Sequence, residues 1–195
     1  MNEQTETASV TPSLTRRRRT FLAPLWLLVW GGVLLLAAAF VYWNSANTTT
    51  IVVLRHAEKQ VGAISDAPLS PPGEQRAERL AQMFGDVETL GRIRKIYVTN
   101  TRRTQQTAAA LAQRLGLTPD VLDAKTEARD IARLALRENR GGVALVVGHS
   151  NTVPDIVKVL AGAEKVPGMT DDEFDTIYVV SVPTIGHASV LRMKY

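Results

Sequence analysis

Two histidines in this sequence stand at the ends of strongly apolar runs. His56, preceded by Arg55, follows residues 51–54, and His149 follows residues 143–148. Short runs of this kind, rich in β-branched residues, are typical of strands that are buried on both faces. In open α/β sheets, ligands bind just beyond the carboxyl ends of the strands. We therefore expect both imidazoles to face a ligand instead of the core.

A third polar group, residues 99–103, follows another strand candidate and contains Thr99 and Arg103. If the three groups meet at one sheet edge, they combine two imidazoles with two or three guanidiniums. Guanidinium forks match phosphate oxygens, and helix N-termini that follow strands add N–H donors. A neutral imidazole is a nucleophile, and a protonated second one can stabilise a transferring phosphoryl group. These residue types predict an anion site for phosphoryl chemistry, and they require no metal.

Strand and helix patterns alternate along the chain after residue 50. The predicted strands are residues 51–54, 93–99, 120–122, 143–148, 177–182 and 188–193. The predicted helices are residues 74–84, a helix that ends near Leu115, residues 126–139 and residues 153–160. Alternation of this kind indicates an α/β fold, a three-layer sandwich whose mostly parallel central sheet is covered on both faces.

Composition excludes several classes of function. The 195 residues include no cysteine, which rules out disulfides, zinc-thiolate sites and thiol nucleophiles. The formal net charge is +4, but four of the 23 basic residues form the run 16–19. Without that run, 19 basic residues face 19 acidic ones, and aromatic residues are only 6% of the chain. We therefore expect no nucleic-acid partner.

The first fifty residues have a different character from the rest. Residues 1–20 predict a disordered basic tail, and the uncharged residues 21–43 predict a transmembrane helix. The arginine run should stay in the cytoplasm, which makes the chain a single-pass membrane protein with an extracytoplasmic domain. Residues 44–50 then form a linker, and residues 51–195 form the one folded domain. A signal peptide cleaved near residues 44–46 and a twin-arginine export signal are alternatives, of which the stable anchor is favoured.

Three ordered motifs give the sequence a family resemblance. They are Arg55-His56-Ala57, Arg103-Thr104-Gln105-Gln106-Thr107-Ala108 and Gly148-His149. In this order, at the ends of strands, they resemble the histidine phosphatases, the superfamily that includes the phosphoglycerate mutases. The resemblance implies a phosphoglycerate mutase-like fold in which His56 is the nucleophile that becomes phosphohistidine. It also implies that Arg55, Arg103 and His149 bind the phosphoryl group, with Thr99 as a further phosphate contact.

The resemblance also implies an acidic proton donor, which no clear pattern marks in this sequence. Asp123 is the leading candidate because it follows a short predicted strand, and it completes the expected catalytic set. Glu127 and Glu173 are the alternatives, the second on an acidic run, 171–175, that could fold over the site. Glu58 and Lys59 continue the first strand and are expected to line the mouth of the site.

We therefore expect a metal-independent phosphomonoester hydrolase without a cofactor. Its partner would be a phosphorylated small molecule or an envelope-associated phosphate ester, and residues 21–43 would hold it in the membrane. The short loop after His56 favours a compact phosphatase over a mutase. The alternative is a catalytically weak or inactive module of the same fold that binds a phosphorylated ligand.

Overall fold

A computed structural model describes residues 23–62, 66–85, 91–162 and 166–195. The chain forms two compact units, Met1–Phe40 and Val41–Tyr195. The predicted basic tail, residues 1–20, lies outside the described residues. The larger unit holds the sheet and every residue predicted to take part in the chemistry.

The first helix, α1 (Ala23–Ala46), is uncharged over its whole length, and its described apolar side chains are exposed. Within it, Leu25–Ala46 has a mean hydropathy of 2.2 and is long and apolar enough to cross a membrane. The predicted N-terminal apolar helix is therefore confirmed, whereas the membrane span itself stays a prediction. The helix continues through half of the predicted linker, and the first strand begins at Thr49.

Six strands form one sheet. They are β1 (Thr49–Arg55), β2 (Ile93–Thr99), β3 (Asp120–Leu122), β4 (Val143–Gly148), β5 (Thr176–Val182) and β6 (Ser189–Lys194). The order across the sheet is β3-β2-β4-β1-β5-β6. The first four strands are parallel to one another, and β5 is antiparallel to both of its neighbours, β1 and β6. This arrangement confirms the predicted mostly parallel sheet.

Helices cover both faces of the sheet. The four helices are α2 (Pro71–Gly85), α3 (Arg102–Leu115), α4 (Ala128–Glu138) and α5 (Val153–Ala161). Successive strand residues point to opposite faces, so Val52 and Leu54 pack under α2 and α3, while Ile51 and Val53 pack under α4 and α5. These two cores confirm the three-layer sandwich.

The register of the central strands sets the position of the chemistry. Arg55 pairs with Gly148 in the parallel ladder of β1 and β4, and Val98 of β2 pairs with Val147. His56 and His149 each follow directly after one of these paired positions. The two histidines must therefore leave the sheet side by side, next to the end of β2 where α3 begins.

Candidate active site

His56 is held in one tautomer by its own backbone neighbour. Its Nδ1 lies 2.7 Å from the carbonyl oxygen of Ala57, which can only accept, so Nδ1 carries the proton. The lone pair is then left on Nε2. Burial, with smaller contributions from Arg103, His149 and Arg55, lowers the pKa of His56 to about 3, although the Ala57 hydrogen bond opposes this. The ring is neutral at neutral pH and has the form of a nucleophile.

His149 stands beside it in the opposite tautomer. Its Nδ1 lies 3.4 Å from Arg103 Nη2, and because a guanidinium can only donate, Nδ1 accepts. Nε2 therefore carries the proton and donates to Thr99 Oγ1 at 3.1 Å. Burial, and then the charges of Arg103 and Arg55, lower the pKa of His149 to about 4. A protonated second histidine was one expectation from the residue types, but the lowered pKa values make both rings neutral at neutral pH.

Arg55 is fixed by a segment more than a hundred residues further along the chain. Its Nη1 donates to the carbonyl oxygens of Thr170, Asp171 and Glu173 at 2.9, 3.1 and 3.2 Å. The Phe174 ring stacks on the guanidinium at 4.0 Å. Burial lowers the pKa of Arg55, but an arginine starts so high that it stays charged. The guanidinium is thus held rigid before any ligand arrives.

Two buried donors in the site have no acceptor. The Nε–H groups of Arg55 and Arg103 are both buried, and neither makes a hydrogen bond within the described part of the chain. Leaving a buried charged donor unpaired costs more than about 1–3 kcal/mol. Arg103 also lies 3.9 Å from the carboxylate of Asp66, a long and weak contact. An oxyanion between the two guanidiniums would supply the missing acceptors.

A cavity of about 360 Å³ joins these groups. Its walls include Arg55, His56, Arg103, His149, Lys59 and Asp171. In the residues that the structure describes, no group of three histidine or acidic side chains could hold a metal ion. A larger cavity, of about 480 Å³, lies at the other edge of the sheet, but it contains no histidine. We place the chemistry in the smaller one because, of the two, it contains the histidines.

Thr99 lies behind His149 and does not line the cavity. Its side chain is 4% exposed, and its hydroxyl contacts those of Thr101 and Thr104 at 3.0 and 2.9 Å as well as His149. An oxygen with these partners has no free side for a ligand. The predicted phosphate contact is corrected accordingly, because Thr99 orients the imidazole instead.

The sequence argument missed the residues that support the first strand's end. Thr107 Oγ1 accepts from the backbone N–H of Ala57 at 2.9 Å and donates to the carbonyl oxygen of Arg103 at 2.7 Å. Gln106 Oε1 accepts from the backbone N–H of Leu69 at 2.8 Å. Both residues belong to the second motif, in which a role was expected only for Arg103. The sequence signal for this role was the pair of adjacent polar residues, Gln106 and Thr107, in the first turns of α3.

None of the three predicted proton donors lines the cavity. Asp123 is exposed, and its Oδ1 accepts from the backbone N–H of Lys125 at 2.8 Å, while Glu127 is exposed just before α4. Glu173 is turned to the sheet edge, where it binds Arg192 Nη2 at 2.6 Å. The carboxylate that does line the cavity is Asp171, on the acidic run 171–175 that was expected to fold over the site through Glu173. The assignment of Asp123 stays a prediction.

Glu58 and Lys59 were expected at the mouth, and they differ. Lys59 lines the cavity, but Glu58 forms a two-pronged ion pair with Arg76 of α2, with Nε and Nη2 at 2.9 and 2.7 Å. Arg76 Nη1 also donates to the carbonyl oxygen of Tyr195. Glu58 therefore connects the end of β1 to α2 and, through Arg76, to Tyr195. Its carboxylate pairs with Arg76 and does not face the cavity.

Comparison with known proteins gives one family match over part of the chain. Residues 51–130 match the sequence model of the histidine phosphatase superfamily (branch 1). No curated protein matches the chain. The match spans the first two motifs, and His149 lies beyond it.

Several solved structures share the fold. The protein histidine phosphatase SixA, complexed with tungstate, has a TM-score of 0.60 at 20% identity, with 74% of this chain and 96% of that chain covered. A phosphoserine phosphatase from Entamoeba histolytica, in complex with 3-phosphoglyceric acid, has a TM-score of 0.51 at 15% identity (75% and 97% covered). Mycobacterial hydrolase 1 has a TM-score of 0.53 at 17% identity (73% and 99% covered). At these identities the likeness concerns the fold.

Proposed function

Because the chain has the fold of the histidine phosphatase superfamily, we propose that it is a phosphomonoester hydrolase that works through a phosphohistidine on His56 and needs no metal. One observation carries this proposal. A neutral imidazole with a free Nε2 stands beside two buried guanidinium Nε–H groups that lack acceptors. That combination offers a nucleophile and a place for phosphate oxygens at once. The tungstate bound to SixA, an oxyanion, supports the same reading by analogy.

The reaction proceeds in two displacements at phosphorus. His56 Nε2 attacks in line and forms the P–N bond, while the P–O bond to the leaving alcohol breaks. Arg55 and Arg103 bind the equatorial oxygens. His149 donates a hydrogen bond to the phosphoryl group after its N–H, which otherwise faces Thr99, is directed to the ligand. Water then attacks the phosphohistidine, the P–N bond breaks, and inorganic phosphate leaves.

The leaving alcohol needs a proton in the first step, and the attacking water gives one up in the second. Asp171 is the carboxyl that faces the cavity, and Asp123 lies one residue from Ala124 in its wall. We expect Asp171→Asn to slow alkyl phosphates, which have poor leaving groups, far more than aryl phosphates. The same comparison with Asp123→Asn distinguishes the two candidates.

The substrate would be a phosphorylated small molecule or an envelope-associated phosphate ester. The location follows from α1, which we propose to be a membrane span with the arginine run on the cytoplasmic side and the catalytic domain outside. Because the chain has no cysteine, single introduced cysteines can test this topology. A cysteine at Val61, which is 94% exposed, should react with an impermeant maleimide in intact cells, and one at Thr5 should not.

The deciding experiment uses the full chain in detergent with a chelator present. We expect hydrolysis of an aryl phosphate, and a phosphorylated His56 peptide after rapid acid-free quenching. Loss of turnover with phosphate binding retained would favour the alternative, a module that binds a phosphorylated ligand. That alternative has one specific observation behind it, since none of the three predicted proton donors lines the cavity.

A further inference from the structure

A second cavity lies at the amino edge of the sheet, opposite His56. It measures about 480 Å³ and lies within the larger compact unit, between the amino ends of β1, β2 and β4 and the last turn of α1. Its walls include Ser45, Thr48, Gly91, Arg92, Arg94 and Gly141. The proposed hydrolysis uses none of these residues.

An irregularity in β2 directs one arginine into this cavity. Opposite β4, Ile93 pairs with Val143 and Lys95 pairs with Ala144, so Arg94 is an extra residue in the ladder. Such a bulge bends the strand and re-aims a side chain, and bulges are over-represented beside binding sites. In a regular strand Arg94 would share the face of Ile96 and Val98, which pack in the core under α2 and α3. Because of the shift, Ile93 takes that place, and Arg94 lies in the cavity wall with Arg92.

Two glycines make the room that this arrangement needs. Gly141 has φ of +65°, and a Cβ there would lie 2.8 Å from the carbonyl oxygen of Ala46. A Cβ on Gly142 would lie 3.3 Å from Arg94 Cδ. Larger residues would push the end of α1 and the guanidinium out of their positions. The cavity is therefore a built feature of the turn between α4 and β4.

The cavity is positively charged. Its lining contains two arginines and the hydroxyls of Ser45, Thr48 and Thr50, and no carboxylate among the residues described. The next residue in β2, Lys95, has carboxylate partners on Asp120 and Glu138 at 3.2 and 2.8 Å. Across the described ranges, Arg94 has no ion pair or hydrogen bond. A guanidinium without a counter-ion in a cavity lined by hydroxyls fits a phosphate group.

The apolar helix indicates where that phosphate comes from. Leu25–Ala46 is long and apolar enough to cross a membrane, and its last residues, Ser45 and Ala46, form part of the cavity wall. Basic residues next to the end of a span lie at the level of the lipid headgroups and attract anionic ones, each by roughly five-fold. We propose that this cavity binds the phosphate headgroup of an anionic phospholipid. The assignment rests on the proposed span and is independent of the proposed hydrolysis.

The test is retention of lipid by the full chain in a non-ionic detergent, measured by native mass spectrometry with equal amounts of phosphatidylglycerol and phosphatidylcholine. We expect the wild type to retain phosphatidylglycerol preferentially. The double variant R92Q/R94Q should lose roughly ten-fold or more of that preference. The matched control R129Q/R133Q removes two exposed arginines of α4 and should keep it.

Further variants separate a specific headgroup site from a nonspecific charge effect and from a purely structural role of the arginines. R92K/R94K, which keeps the charge, should restore most of the preference, and aryl phosphate hydrolysis should be unchanged in every variant. Equal losses in both glutamine double variants, or no preference in the wild type, would overturn the proposal. So would displacement of the lipid by millimolar glycerol phosphate, which has the headgroup chemistry without the tails. A lower melting temperature of R92Q/R94Q with unchanged lipid retention would show that the arginines only stabilise the end of α1, and would equally overturn it.

Discussion

The two edges of the sheet each hold a pair of arginines, yet only one edge is equipped for chemistry. At the carboxyl edge, Arg55 and Arg103 are buried beside two histidines, and each has an Nε–H without an acceptor. At the amino edge, Arg92 and Arg94 are exposed and stand among hydroxyls and glycines. We therefore expect paired guanidiniums at a strand end to attract an anion, and the neighbouring imidazoles to be needed for its turnover.

The difference lies in what holds each pair. Arg55 is fixed by three carbonyl oxygens and an aromatic ring, so little of its binding energy is spent on ordering it. Arg94 has no hydrogen bond within the described ranges, and a flexible exposed side chain can adapt to a headgroup that itself moves. Rigid, buried donors suit a transition state, whereas adaptable donors suit a ligand that is only retained.

The sharpest way to break this comparison is to remove the nucleophile. We expect His56→Ala to lower kcat for an aryl phosphate by at least ~10⁴-fold, since the proposed covalent intermediate forms on His56. Steady-state kinetics in chelator measure this, with R92Q/R94Q as the matched change at the opposite edge. Comparable losses in both would show that the two edges are not functionally separate.

The next largest effect should come from the buried guanidinium itself. Arg103→Ala should reduce kcat/KM by about 10²–10³-fold, because donors aimed at the phosphoryl oxygens act mainly in the transition state. Arg103→Lys should recover only part of the loss, since an ammonium lacks the guanidinium fork. Arg102→Ala, one residue away and exposed, is the control and should retain full activity. An active Arg103→Ala enzyme would remove this residue from the site.

A smaller effect should follow from loosening the support of the first strand. Thr107→Val keeps the shape but leaves the backbone N–H of Ala57 without its acceptor, which should cost about 1–3 kcal/mol of unfolding free energy. Urea melts give the stability, and the activity of the variant should fall by roughly ten-fold as His56 loses its fixed position. Thr118→Val, on an exposed loop, should change neither. Unaltered stability would show that water replaces the hydroxyl.

The smallest expected effect is on pH dependence. Folding lowers the pKa of His56 from its ordinary value of 6.5 to about 3 and that of His149 to about 4, mainly by burial. The unfolded chain therefore takes up these protons first, so stability is full above about pH 6.5 and falls as pH drops toward 3. The melting temperature of H56Q/H149Q should depend less on pH over that interval. In the wild type, kcat/KM should fall only as pH approaches about 3, where His56 of the free enzyme protonates.

Much of the fold follows from local pattern. The apolar runs before His56 and His149 are short, β-branched and uninterrupted, and they form the buried strands β1 and β4 as predicted. The regular alternation of strand and helix leaves little choice but a parallel sheet between two helical layers. Residues at the ends of adjacent parallel strands meet by geometry alone. The sequence was therefore enough to place Arg55, His56, Arg103 and His149 at or just after strand ends, and the strand order of the structure brings them together.

Other features depend on contacts between distant segments, which periodicity does not encode. Helix α1 continues to Ala46, inside the predicted linker, because nothing local ends it earlier. Thr99 supports His149 and does not reach the cavity, because its hydroxyl already contacts Thr101, Thr104 and the His149 ring. Glu58 was expected at the mouth of the site, but its carboxylate forms a two-pronged ion pair with Arg76, which is more favourable than exposure to solvent at the mouth.

The sequence by itself determined the layers of the fold, its mostly parallel sheet and the two histidines at strand ends, because these depend on apolar periodicity and on residue type at strand ends. Only the tertiary structure decided which nitrogen of each histidine carries the proton, that Asp171 faces the cavity and that the loop carrying it fixes Arg55. It alone also revealed the bulge that aims Arg94 at the opposite edge. Apart from the tautomer of His56, which the next residue, Ala57, fixes, each of these depends on a partner far away in sequence, which becomes a neighbour only after the chain has folded.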